Sequence, residues 1–175
     1  MPSVRFALLA TGVLLAAACS DDPVVQGPDA PPPLTEGVQA FLQVSNDHAQ
    51  PGERVEVFVK VQIGTKTEAK VGSYTGRLTF DPKALSWVSD ADINDGVRVV
   101  NPNGASTGLV RFAGASPRGF EDLTLYHGIF EVKDAGYLDG LSMQMEELSQ
   151  ALTLTNMQPS LQVAPRVFLR QDRPR

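Results

Sequence analysis

The chain has 175 residues, 42% of them hydrophobic and 20% charged, with 15 Gly and 13 Pro, proportions that describe one folded domain rich in turns and exclude disorder throughout. Fifteen basic against 20 acidic residues give a net charge of −5, and the cations are scattered, which excludes a general attraction to nucleic acid. The single cysteine excludes an internal disulfide, so the fold must hold by its core.

Met1 to Arg5 form a short basic start. An apolar run follows from Phe6 to Ala18, ending in Ala16, Ala17 and Ala18 before Cys19. A charged start, a short apolar run and small residues before a cut are the pattern of a secretory leader, and the run is too short to span a bilayer. Small residues directly before a cysteine resemble the lipobox of bacterial lipoproteins. The match departs from that pattern in having Ala16 where the family has leucine, with Leu15 one place earlier. The resemblance implies cleavage after residue 18, a lipid on Cys19 and attachment to a membrane of the cell envelope, at the outer membrane, the cell surface or facing the periplasm. An ordinary leader with an incidental cysteine is the competing reading. Residues 19–37 then read as a spacer: five prolines, several acids and few large apolar groups cannot build a core.

From Val38 to Arg170 the apolar pattern has period two, and residues 171–175 read as a basic tail. Val55, Val57, Val59, Val61 and Ile63 alternate with polar or solvent-side positions, as do Leu78 and Phe80, Val110 and Phe112, and Leu141, Met143 and Met145. Pro51-Gly52, Asp81-Pro82, Asp95-Gly96, Asn103-Gly104 and Asp139-Gly140 punctuate the alternation as turns. The pattern predicts strands near 38–45, 54–63, 71–80, 85–89, 97–101, 107–115, 123–133, 141–147 and 160–169. Nine strands on short loops predict an all-β, jelly-roll β-sandwich. Glu146 to Thr155 is the one stretch with helical character, and Gly128 reads as the mark of a bulge.

The order of these signals resembles the cohesin domain and its relatives among carbohydrate-binding sandwiches. The matching pieces are Pro51-Gly52-Glu53 before a valine-alternating strand, Gly76 to Pro82 with Leu85 after it, the strand Gly108 to Gly114, and Gly128 to Val132. The resemblance implies a nine-stranded jelly roll without catalytic activity that binds a protein, a dockerin module in the type case. It also implies a binding face built from the eighth, third, sixth and fifth strands. A carbohydrate-binding module for polysaccharide catabolism is the alternative.

Alternation assigns that face its side chains. If Tyr74, Leu78 and Phe80 point inward, Thr75, Arg77 and Thr79 point outward. Val110 and Phe112 inward put Arg111 outward; Val97 and Val99 inward put Arg98 outward; Met143 inward puts Gln144 and Glu146 outward. Arginine suits bidentate recognition of carboxylates, so Arg77, Arg98 and Arg111 read as a face for an acidic protein or glycan. The competing reading is three solvated strand residues paired with neighbouring acids.

Other candidates are weaker. Gly104-Ala105-Ser106-Thr107-Gly108, with Asp122 and His127, matches a hydrolase pattern that has meaning only on a strand–turn–helix, and here a strand follows. Asp90, Asp92 and Asn94 space oxygen donors as calcium loops do, without the glycine and the terminal glutamate of the full motif. No other cofactor is implied. Trp87, the only tryptophan, reads as core filling before sugar stacking.

Overall fold

The computed structural model describes residues 30–93 and 95–170. The predicted leader, Cys19 and the tail 171–175 lie outside the described residues. Nine strands form in the predicted order: β1 (Val38–Val44), β2 (Arg54–Ile63), β3 (Val71–Thr79), β4 (Leu85–Asp90), β5 (Val97–Asn101), β6 (Leu109–Ala115), β7 (Thr124–Val132), β8 (Ser142–Gln150) and β9 (Leu161–Leu169). They make two sheets, β4-β7-β2-β1-β9 and β5-β6-β3-β8. All pairings between named strands are antiparallel except that of β1 with β9, which is parallel.

The core is the contents of the two inner faces. Val55, Val57, Val59 and Val61 of β2 are at most 4% exposed and meet Tyr74, Leu78, Phe112 and Leu148 from the opposite sheet. Aromatic rings fill the middle, with Tyr126 stacked on Phe112 at 5.3 Å and Phe80 edge-on to Phe130 at 5.1 Å. Two glycines make room for them: a Cβ on Gly114 would lie 2.5 Å from the Tyr74 ring, and one on Gly128 would lie 2.1 Å from the Tyr126 hydroxyl. Gly128 thus serves ring packing, not the bulge expected of it; the irregularity of β7 falls instead between its partners Tyr126 and Thr124.

The stretch with helical character is strand as far as Gln150 and turn over 151–155. β8 runs on to Gln150, and a bulge opposite Thr75 and Gly76 sets both Glu146 and Glu147 on the outer side before Leu148 returns inward. That extra residue is what broke the two-residue period and gave the segment its helix-like spacing.

Residues 30–37 lie against the domain. Pro31 is buried, Gln62 donates its side-chain amide to the Pro32 carbonyl at 2.9 Å, and Leu34, Thr35 and Gly37 accept backbone hydrogen bonds from Thr65, Lys66 and Gly64. The chain therefore enters at one end of the sandwich. That end carries the loops 64–70, 91–96, 116–123 and 151–160; the other carries 45–53, 80–84, 102–108 and 133–141.

Candidate docking face

The outer sides of the two sheets are finished differently. On the five-stranded sheet, Phe41, Phe58 and Phe168 point outward yet are each 5% exposed. Arg170 lies over the Phe58 ring at 4.8 Å, Arg166 over Phe168 at 6.0 Å, and His127 stacks on Phe58 at 4.2 Å. Long cationic side chains thus lay their guanidinium groups over the rings of this face. His127 is also 3.2 Å from Glu56, which Arg170 reaches at 3.2 Å. Burial holds the His127 pKa below the ordinary histidine range, against the opposing pull of Glu56.

The outer side of β5-β6-β3-β8 has no such cover. Strand register sorts it into rows. One row is Asn101, Arg111, Arg77 and Gln144; the next is Val99, Ala113, Thr75 and Glu147; the next is Val97, Ala115, Ser73 and Ser149. Thr79 lies opposite Leu109 and Ser142 beyond the arginine row. Val97 is 70% exposed and Val99 62%, so two β-branched side chains stand bare beside two alanines.

Arg77 and Arg111 sit directly opposite one another, a like-charge pair that would repel. Glu146 relieves it from the β8 bulge, 3.7 Å from Arg77 and 3.9 Å from Arg111, and Arg77 donates a hydrogen bond to the Gln144 side chain. These are the neighbouring-acid pairs of the competing reading, long and solvent-exposed. The Glu146 contact is the only one described for Arg111, so most of its five N–H donors face water.

Thr75, Arg77, Thr79, Arg111 and Gln144 share this face as alternation predicts. Arg98 does not. The expected parity of β5 is reversed: Val97 and Val99 face out, and Arg98 turns inward opposite Gly114. Its guanidinium donates to the carbonyls of Asp95 at 2.8 Å and Asp122 at 3.3 Å, to that of Thr124, and to the Tyr74 hydroxyl at 3.3 Å. The Phe120 ring lies beneath it at 4.7 Å. Three backbone carbonyls converge where the sheets part, and they need a multivalent donor that valine cannot supply. Tyr74 donates to the Leu125 carbonyl at 2.7 Å; burial pushes its pKa up to about 12, against the lowering influence of Arg98.

The remaining candidates are not assembled into sites. Ser106 lies in a turn at the end opposite Asp122, so the serine, Asp122 and His127 are not brought together. Asp90 closes β4 opposite Gly128, Asp92 is exposed, and Asn94 lies outside the described residues. The acid this loop does employ is Asp95, whose carboxylate accepts the backbone N–H groups of Glu121 at 2.6 Å and Asp122 at 3.0 Å. Among the described residues no three His, Cys, Asp or Glu stand together as metal ligands. Trp87 is half-buried and donates to the buried Tyr126 hydroxyl at 3.2 Å, and every Phe and Tyr among the described residues is buried.

The fold has counterparts among solved structures. The sixth cohesin of Acetivibrio cellulolyticus scaffoldin B, solved in complex with a Cel5 dockerin mutant, aligns over 77% of this chain and 99% of its own at a TM-score of 0.55 and 14% identity. A type I cohesin–dockerin complex from Clostridium thermocellum aligns over 77% and 99% at 0.55 and 15% identity. The second type II cohesin module of the adaptor ScaA scaffoldin of Acetivibrio cellulolyticus aligns over 76% and 94% at 0.52 and 13% identity. No curated protein matches the chain by sequence. The Cohesin domain family matches residues 40–135, more than half of the chain, and together with the nine-stranded sandwich this makes the chain a member of the cohesin domain family.

Proposed function

We propose that this domain is a non-catalytic docking module that receives a protein partner, of the dockerin-bearing kind, on the outer side of β5-β6-β3-β8. The observation that carries the reading is the contrast between the faces. One buries its aromatic residues beneath its own arginines, while the other leaves Val97 and Val99 bare beside a row of Arg111, Arg77 and Gln144. A flat apolar block bordered by oriented polar groups suits a protein surface, whose core contacts are apolar and whose rim is polar. The sandwich of residues 38–170 takes in the docked segment 30–37, a lipid on Cys19 holds it at the cell envelope, and the residues between Cys19 and Ala30 connect the two. Members of the fold bind dockerins in the complexes above, which supports this partner class.

The test is a calorimetric titration of the mature chain against a panel of dockerin modules and against partners recovered from envelope extract. Val99→Asp combined with Arg111→Glu should abolish binding, whereas Gln162→Lys, on the other sheet, should leave it unchanged. Equal affinity of the face variant and the wild type would refute the assignment.

A further inference from the structure

Beyond β8 the chain makes a hairpin that is built against its own sequence. Gln150 donates to the Thr155 carbonyl at 2.9 Å, Met157 to Leu148 at 2.8 Å, and Ser149 bridges Asn156. The tip is closed by Thr153 N–H to the Ala151 carbonyl at 2.7 Å and Leu154 N–H to Gln150 at 3.1 Å, and Ala151 is tied down to Lys70 at 2.8 Å. Within this fixed tip Leu152 has φ 65° and Leu154 φ 55°, the only non-glycine residues with positive φ among those described. Glycine or asparagine normally takes such positions, because a bulky Cβ crowds the following carbonyl. The strain is not offset by packing: Leu152 is 85% and Leu154 74% exposed, the two most exposed large apolar side chains described. Strained backbone that holds two leucines in water is a feature of contact, not of the core.

The position of the hairpin selects what it meets. It lies at the end where the chain enters, since Gly37 sits against the Ser160 carbonyl and Ala151 is bonded to Lys70. Ten residues lie between Cys19 and Ala30, eleven backbone steps with a reach of at most about 40 Å. Lys70 and Arg118 adjoin Leu152, but Glu68 and Glu121 match them, so the attraction there is apolar, not electrostatic. We infer that Leu152 and Leu154 form a two-pronged contact that enters the headgroup–acyl boundary of the membrane on which the domain is tethered; this rests on the lipid anchor proposed at Cys19. Two leucines are too few to hold a free protein on a bilayer, and the tether supplies the local concentration that makes them sufficient. The contact fixes the orientation of the module, with its entry end toward the lipid.

The mature chain, residues 19–175, is coupled through Cys19 to maleimide lipids in phosphatidylethanolamine–phosphatidylglycerol vesicles containing brominated acyl chains. Leu154→Trp should be quenched beyond the background of Trp87, with little dependence on salt, whereas Lys83→Trp at the opposite end should not. Leu152→Gly in the Leu154→Trp background should raise the melting temperature by about 3 °C and weaken the quenching. Absence of quenching, quenching equal at both ends, or a stability gain with quenching unchanged overturns the inference. Palmitate labelling of cells tests the anchor separately: no label on Cys19 removes the tether and the membrane contact with it, while a labelled cysteine with an unquenched Leu154→Trp removes the leucine contact alone. Loss of a protein partner on Leu152→Asn with Leu154→Asn, without quenching, reassigns the hairpin to that partner.

Discussion

Arg98 and Arg111 differ by the company their guanidinium groups keep. Arg98 satisfies three backbone carbonyls and a buried tyrosine hydroxyl, so Arg98→Ala should cost about 2 kcal/mol in urea unfolding, mostly from acceptors left without donors. Arg111→Ala, which breaks one exposed 3.9 Å pair, should stay within about 0.5 kcal/mol while weakening partner binding. Sequence alone could not separate the two, since each follows a valine in an alternating run. What distinguishes them is the converging carbonyls of residues 95, 122 and 124, which are distant from Arg98 along the chain in all but one case. His127 gives a prediction in pH. Its folded pKa lies below its unfolded one, so the unfolded chain takes up the proton first as pH falls. The stability it contributes is complete above the ordinary histidine pKa of about 6.5 and declines below it. Melting curves of wild type and His127→Gln between pH 7.5 and 5 should therefore show the steeper loss in the wild type.

At the level of elements, the strands were legible because one face of each is buried, and burial enforces the two-residue period along β2, β3 and β6. The period fails where that constraint lapses. β5 is an edge strand of alternating exposed and half-buried residues, so valine can occupy its outer side and the parity reads backwards. β8 carries a bulge, and the added residue shifts every side chain beyond it by one face. Gly128 reads in the sequence as a bulge, whereas it and Gly114 are recesses for rings. Gly114→Ala should accordingly destabilise the domain by about 1–3 kcal/mol in thermal or denaturant unfolding, because its methyl would overlap Tyr74. The arginine-bearing part of the docking face was legible from β3, β6 and β8; its apolar half, Val97 and Val99, was not.

For the molecule as a whole, the boundary at Val38 taken from composition understates what the sandwich holds. The segment 30–37 contributes a buried proline, backbone hydrogen bonds to residues 64–66 and an acceptor for the Gln62 side chain. A chain beginning at residue 38 should be less stable by about 2 kcal/mol than one beginning at residue 30, and amide exchange in residues 64–67 should quicken. Composition marks this segment as non-core because it has few large apolar groups, yet a single proline and main-chain bonding dock it.

The parallel pairing of β1 with β9 ties the first strand to the last. The edge of the five-stranded sheet is therefore supplied by the last strand of the domain, and the sandwich remains incomplete until residue 169 is available. Contacts this distant along the chain form slowly. If the proposed leader sends the chain across a membrane as an extended thread, that order serves export: the part already made cannot complete its fold on the wrong side, and the domain closes only once β9 has been delivered.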